Sequence, residues 1–276
     1  MIDMCIWNVR GLNNRVKQLE VKRFLDQRQP TIFALLETKV NSLNMELVKC
    51  SLRRDFSLLT NNSPTSAGRI WVLWDPEVVH IRPVISNDQF LHCEVTSNVQ
   101  PMKWLISVVY ASNSATQRAL LWTDLADLST LCQSSPWIVS GDFNEVRYGS
   151  EKMGGRPIHS RRAFKFNRMI SHAGLQDVKA TGHHLSWNNN QEERVAYRLD
   201  RTLVNSIWLS KYPEGFVHYH PRGHQIMQPW KFSITPLCLG FLPPSNSFKC
   251  GLAILLFKIQ FVKLGISQSM VLACSA

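Results

Sequence analysis

Trp137-Ile138-Val139-Ser140-Gly141-Asp142-Phe143-Asn144 decides how the rest of the chain is read. An apolar run stops at a glycine, and a carboxylate and a carboxamide follow two residues apart. Trp-Ile-Val suits a buried strand, because β-branched and aromatic side chains fit a pleated surface. Gly141 lets the backbone leave that strand where a side chain would obstruct it. Residues i and i+2 of an extended chain point to one side. Asp142 and Asn144 can therefore face one pocket, an acceptor beside a donor, which suits holding a phosphate and activating its attacker. A strand followed by an Asp-rich turn accounts for the same residues, so companions elsewhere in the chain must choose between the two.

Working outward, other apolar runs end on polar residues in the same way. Residues 2–7 read as a strand ending at Asn8-Val9-Arg10-Gly11-Leu12-Asn13, and 15–28 as an amphipathic helix stopped before Pro30. Residues 31–36 form a second buried strand that delivers Glu37, and a helix spans about 42–52. Apolar segments at 69–74, 78–85, 90–96 and 104–110 are spaced as consecutive, largely antiparallel strands, the last exiting at Tyr110. Helices at about 115–132 and 160–173 flank the strand at 137–140, and strands follow at 197–204 and 216–220. Helices and strands mix without a strict βαβ rhythm, which predicts two packed sheets with helices outside. A carboxylate after an apolar strand is costly unless paired, exposed or bound to a cation. Asn8, Glu37, Tyr110, Asp142 with Asn144, and Asp200 all stand at such exits; any one alone reads as a solvated strand end.

Composition bounds the partners. The 276 residues are 45% hydrophobic and 18% charged, a globular balance, with a formal net charge of +11 that favours an anionic partner such as nucleic acid. No Asp or Glu follows Glu214, so five of those charges (Arg222, Lys231, Lys249, Lys258, Lys263) belong to the last segment and 26 − 20 = +6 remain on residues 1–214. The seven cysteines are scattered with no C-x-x-C pair, which predicts buried free thiols in a reducing compartment. No signal-peptide layout opens the chain, and the apolar stretch 251–264 falls well short of the ~20 residues a membrane span needs. The expectation is a soluble, intracellular protein with no membrane partner. After Gly223 the chain loses its carboxylates, gains Pro229, Pro236, Pro243 and Pro244, and loses clear periodicity.

Taken in order, Trp7-Asn8-Val9-Arg10-Gly11-Leu12, Leu36-Glu37-Thr38-Lys39, Val109-Tyr110-Ala111-Ser112-Asn113, Ser140-Gly141-Asp142-Phe143-Asn144 and Arg198-Leu199-Asp200-Arg201 resemble the endonuclease/exonuclease/phosphatase superfamily, with Ser186-Trp187 a further match. The style is most similar to the apurinic-type endonuclease domain of plant LINE-type retrotransposons, notably Asn-Val-Arg-Gly-Leu-Asn and Arg-Leu-Asp-Arg-Thr-Leu-Val-Asn, and covers residues 2–223. The resemblance implies an α/β four-layer sandwich, two packed mixed β-sheets flanked by helices. It implies an intracellular Mg²⁺- (or Mn²⁺-) dependent endonuclease, nuclear if functional, whose partner is DNA, or RNA, with no obligate protein partner. Glu37 would hold the metal, which neutralises phosphate charge and stabilises the leaving oxygen. Asp142 would orient or deprotonate the attacking water, and Asn144 and Asn8 would hydrogen-bond the phosphate and its surroundings. Tyr110 would contact the scissile phosphate, Asp200 would orient a catalytic histidine, and Arg10, Ser186, Trp187 and Arg201 would contact phosphate or DNA.

Two departures follow. Arg10 stands where cellular repair members of the family usually carry Asp, which removes a carboxylate near the metal and favours phosphate contact. The family also closes on a Ser-Asp-His strand, and no Asp-His pair occurs in this sequence; Pro221-Arg222-Gly223 runs into His224-Gln225-Ile226-Met227. His224 could replace the missing histidine only through a rebuilt loop. Gln228-Pro229-Trp230-Lys231-Phe232 resembles a segment downstream of the missing motif, as an internal deletion would leave it. The expectation is a domain over 1–223 with its last strand lost and a sheet edge unpaired, followed by a divergent, unfolded apolar tail over 224–276. A general acid/base is worth roughly 10²–10⁴-fold in rate, so hydrolysis should be impaired. The alternative is a non-catalytic nucleic-acid-binding remnant, and a third reading is a phosphatase of small phosphoesters. Arg53-Arg54, Arg161-Arg162 and Lys165 suit phosphate contact, although the last three share one helix and read equally as a solvated face.

Overall fold

The computed structural model describes residues 2–62, 68–183, 185–189, 191–219 and 230–234. The chain divides into two units, 1–237 and 238–276, and the second lies outside the described residues, as do Pro221-Arg222-Gly223, His184 and His224. In chain order the elements are β1 (Ile2–Asn8), α1 (Arg15–Arg28), β2 (Ile32–Leu36), α2 (Met45–Leu52), β3 (Ser57–Thr60), β4 (Ile70–Trp74), β5 (Val79–Ser86), β6 (Phe90–Ser97), β7 (Lys103–Tyr110), α3 (Ala115–Leu131) and β8 (Trp137–Asp142). They continue with β9 (Lys152–Met153), α4 (Ser160–His172), β10 (Gln176–Asp177), β11 (Ala180–Gly182), β12 (Trp187–Asn188), β13 (Ala196–Tyr197), β14 (Asp200–Val204), α5 (Ser206–Lys211), β15 (Phe216–Tyr219) and β16 (Trp230–Ile234).

Period-two alternation builds the layers. Ile2, Met4 and Ile6 of β1 face a core shared with Leu91, Val95, Ile106 and Val108 of the other sheet. Cys5 and Trp7 of the same strand point the opposite way, onto Val21 and Leu25 of α1 and Val48 and Leu52 of α2. Val109, Trp137, Val139 and Leu203 pack beneath Leu121, Trp122 and Leu125 of α3 and Phe166 and Ile170 of α4. Both faces of the central strands are covered, which is why they read as unbroken apolar runs. The result is helix, sheet, sheet, helix, the four-layer α/β sandwich expected from the sequence. The first sheet runs β11-β15-β16-β1-β2-β4-β3, the second β10-β14-β8-β7-β6-β5, and β12-β13-β9 make a small third sheet.

One expectation is corrected. The slot for a last strand is filled: β16 pairs antiparallel with β1, Met4 opposite Phe232, and with β15, Val217 opposite Phe232. Trp-Lys-Phe-Ser-Ile alternates as a strand should, and backbone pairing asks for little more. The sheet thus draws in residues beyond 223, where the composition changes.

The stretch 197–204, expected to be one strand, is two. Ser186 Oγ accepts from the backbone N–H groups of Leu199 at 3.1 Å and Asp200 at 3.0 Å, at the break in the chain between β13 and β14. Cys93 and Cys132 are buried free thiols, Cys50 is an exposed one, and Cys5 is buried. Burial pushes the thiols of Cys93 and Cys132 up to about 12. No helix among the described residues is long and apolar enough to cross a membrane.

Candidate active site

The site grows from strand ends. Tyr110, Asp142 and Asp200 lie on one rung across the second sheet, because β7 pairs parallel with β8 (Tyr110 opposite Asp142) and β14 antiparallel with it (Asp200 opposite Asp142). In the first sheet β1 and β2 are parallel and exit together, Asn8 opposite Leu36, so Asn8 and Glu37 emerge side by side. A hydrogen bond joins the two sheets: Asn8 Nδ2 donates to Asp142 Oδ2 at 3.0 Å. The backbone N–H of Asn144 donates to Asp142 Oδ1 at 2.9 Å, and Asn144 Nδ2 to the carbonyl of Ala111 at 2.7 Å. The contact between Asp142 and Asn144 is an Asx turn, and Asn144, at φ 47°, has left the extended conformation that the i, i+2 spacing assumed.

The backbone here is held in an uncommon conformation. Of the five non-glycine residues with positive φ among those described, four are Arg10 (52°), Glu37 (57°), Lys39 (56°) and Asn144 (47°), all just past strand ends at the site. Such φ values cost free energy for ordinary side chains and persist where surroundings over-determine them. Here Gly11 N–H donates to the Glu37 carbonyl and Leu12 N–H to that of Thr38, each at 2.8 Å. Gly141 is required by contact: an added Cβ would stand 1.9 Å from the Val109 carbonyl oxygen.

Electrostatics follow burial. Asp142 is 2% exposed. Burial raises its pKa, the Asn144 N–H and Asn8 amide oppose the rise, and the Glu37 carboxylate adds to it. Burial, then Glu37 and Asp142, also raise the pKa of Tyr110, so its hydroxyl stays a neutral donor. Glu37 is partly open, its side chain 17% exposed, with Lys39 Nζ 2.7 Å from Oε1. No group of three or more His, Cys, Asp and Glu gathers among the described residues. One partly solvated carboxylate still suits a hard cation such as Mg²⁺, which keeps several waters and takes the remaining ligands from phosphate. The Lys39 ammonium on Oε1 marks the place as one that accepts positive charge.

Asp200 is fully buried; its backbone is held by Ser186 and its carbonyl accepts from the Tyr219 hydroxyl at 3.3 Å. Ser186 spends its oxygen on that turn and is 2% exposed, a scaffold role where a phosphate contact was expected. Arg201 is corrected more strongly. It is 0% exposed, paired with Glu151 and with Asp177 at 3.2 Å, over the ring of Phe166. A guanidinium so enclosed offers nothing to a phosphate at the surface. Arg10 is exposed, and Trp187 is half-buried against Tyr197 at 5.4 Å.

Two cavities flank these residues, one of about 420 Å³ beside Asn144, Trp187, Tyr197 and Leu199, and one of about 280 Å³ beside Tyr110, Arg69 and Gln89. Sequence reading missed several supports. Arg69 lies over the Tyr110 ring at 5.6 Å, and Gln89 Oε1 accepts from Ser112 N–H at 2.7 Å. Arg118 pairs with Glu145 at 2.7 Å and caps the carbonyls of Ser112 and Asn113. Glu145, adjoining Asn144, carried a usable signal; Arg118, inside an ordinary helix, carried none.

A family model described as the Endonuclease/Exonuclease/phosphatase family matches residues 5–245. The chain belongs to that family. No curated protein matches it in sequence. Among solved structures, the AP endonuclease of Leishmania major superposes with a TM-score of 0.66 at 14% identity, covering 85% of this chain and 88% of that one. The endonuclease domain of TRAS1, a telomere-specific non-LTR retrotransposon, gives 0.60 at 10% identity over 85% and 98%. A variant of the Neisseria 3′ phosphatase NExo, bound to product DNA hairpin, gives 0.63 at 16% identity over 85% and 100%. At these identities the likeness establishes the shared fold, an α/β sandwich of two large mixed sheets flanked by helices.

Proposed function

We propose that this member of the family is a DNA-binding phosphodiesterase, an endonuclease by descent from the plant LINE-type branch, with hydrolysis reduced by the missing Asp-His pair. The observation that carries this is the meeting of Asn8, Glu37, Tyr110, Asp142 and Asn144 at converging strand ends, with Asn8 bonded to Asp142 across the sheets. Asp142, fixed by two donors, is oriented to take a proton from water. Asn8 and Asn144 hold that carboxylate and present amide groups to a phosphate, while the neutral Tyr110 hydroxyl donates to it. Glu37 would hold Mg²⁺ or Mn²⁺, which supplies charge neutralisation at the phosphate when bound. Asp200 would orient a histidine, and His224 is the nearest later candidate in sequence, outside the described residues. Support for DNA as partner comes from the net charge of +11 and from the DNA hairpin bound by a structural neighbour. Such a protein acts where genomic DNA lies, in the nucleus of a plant cell.

The missing Asp-His pair also supports a second reading, a remnant that binds nucleic acid without cleaving it. A supercoiled-plasmid assay with Mg²⁺ separates the two. We expect slow nicking that stops with chelator or with Glu37→Ala, and a gain of roughly 10²–10⁴-fold when Ser-Asp-His is inserted after Gly223. Fast Glu37-dependent nicking unaffected by the insertion would refute impairment. Salt-sensitive binding with no nicking in either form would select the remnant, and turnover of a small phosphoester without DNA binding would refute both.

A further inference from the structure

Charge on this chain is concentrated rather than spread. Residues 152–176 contain Lys152, Arg156, Arg161, Arg162, Lys165 and Arg168 and no Asp or Glu. Those 6 charges equal the whole +6 of residues 1–214, leaving 20 basic and 20 acidic residues elsewhere in that range. The structure arranges them. Arg162 lines the cavity that also holds Asn144 and Trp187. Farther along α4, Lys165, Arg168 and His172 line a separate groove of about 380 Å³, floored by Ala119, Trp122, Ala126 and Met169 between α3 and α4. With Arg161 they stand at i, i+4, i+7 and i+11, one face of a helix. All four are exposed, and among the described residues none is paired with a carboxylate.

We infer that the Arg161–Lys165–Arg168–His172 face of α4 is a track for the sugar-phosphate backbone of DNA, extending its contact from the site at Asn144 along the outer helical layer. The inference rests on DNA being the partner of the proposed site and adds where the strand runs. Eleven residues of helix rise about 16 Å, and one strand of duplex places phosphates about 3.4 Å apart along the axis, so the track spans about five nucleotides. The exposed cations Arg161, Lys165 and Arg168, with no carboxylate partner among the described residues, gain most from a polyanion, which releases a counterion for each phosphate neutralised.

The test is fluorescence anisotropy of a labelled 30-base-pair duplex in EDTA, titrated with salt, so that no cleavage is required. Each lost phosphate contact lowers the slope of log K against log salt by about 0.9. Lys165→Gln/Arg168→Gln should therefore lower it by about 1.8 and weaken binding about 30-fold at 0.15 M salt. The charge-matched control Arg23→Gln/Arg28→Gln, on exposed positions of α1, should change neither by more than about twofold. Equal losses in both variants would mean diffuse net charge and overturn the track, as would no loss in either while the parent still binds. If the parent shows no salt-dependent binding, the DNA partner itself is wrong and both readings fall. A polyglutamate peptide that binds as tightly as duplex and is lost with the α4 variant would assign the face to an acidic protein, overturning the track as well.

Discussion

Replacing Arg118 with Met should unfold the loops that carry Asn144 more readily than its place in a helix suggests. The Arg118 and Glu145 side chains are 5% and 10% exposed and 2.7 Å apart. Arg118 Nη1 also donates to the carbonyls of Ser112 at 2.8 Å and Asn113 at 2.9 Å. Arg118→Met thus leaves a buried carboxylate without its cation and two carbonyls without a donor. Breaking a buried pair on one side costs about 3–5 kcal/mol. With a urea m-value of about 3 kcal/mol/M, the unfolding midpoint should fall by about 1–1.7 M. Glu145→Gln in the same chain removes the stranded charge, so the double variant should regain about 2 kcal/mol, a coupling within the range of contacting residues. Equilibrium urea unfolding of the parent, both single variants and the double variant measures this directly. Additivity of the two single effects to within about 0.5 kcal/mol would refute the reasoning and show that the pair is solvated in solution.

Two further predictions test the core and the strand packing. His92 is 1% exposed, its Nδ1 2.8 Å from Ser107 Oγ, and burial lowers its pKa from 6.5 to about 4. The unfolded chain therefore takes up the proton first, so stability is full above pH 6.5 and falls as pH drops from 6.5 toward 4, by about 3 kcal/mol; His92→Gln should flatten that limb of the stability–pH curve, and an unchanged curve would refute it. Gly141→Ala forces a Cβ to 1.9 Å from Val109 O, whereas Gly11→Ala, at φ +105°, meets nothing within 4 Å. The first should cost more than about 3 kcal/mol and the second about 1–3, measured as midpoints in urea; the reverse order would show that β7 and β8 can part.

Much of the fold was legible because buried strands announce themselves. Ile2–Asn8, Ile32–Leu36 and Trp137–Asp142 are buried along almost their whole length, and each ends where a polar residue was expected to exit. The edge strand Ser57–Thr60 is half-buried throughout and short, so it carried no such signal. Helix Ser206–Lys211 was missed because six residues are too few for a periodicity; its start lies in the Asn205 cap, whose side chain accepts from Trp208 N–H. The strand Trp230–Ile234 was hidden by a different cause, a judgement that the motif's loss removed the strand with it. The candidate site was legible as carboxylates and amides at strand ends, since the apolar runs that deliver them are visible in the sequence. Arg201 was not, because a charge reads as exposed until its carboxylates, Glu151 and Asp177, are brought from 50 and 24 residues away.

Each described residue of the site has its own support, and this bears on what the missing motif can cost. Asp142 is held by Asn8 and by the Asn144 backbone, Asn144 by the Ala111 carbonyl, the Glu37 loop by Gly11 N–H, and the Asp200 turn by Ser186. These contacts belong to strands β1, β2, β7, β8 and β14 and their exits, and β16 already occupies the place between β1 and β15. Among the described residues, the positive φ values at Arg10, Glu37, Lys39 and Asn144 are accompanied by hydrogen bonds of the strands and their exits. On the proposed reading, an absent Asp-His pair would withhold a chemical group without dismantling the geometry that would receive it. A site of this kind should differ from an active one in rate and not in DNA affinity. The insertion after Gly223 is thus expected to raise kcat while leaving the binding isotherm within about twofold, because a group that acts only in the transition state leaves ground-state binding unchanged.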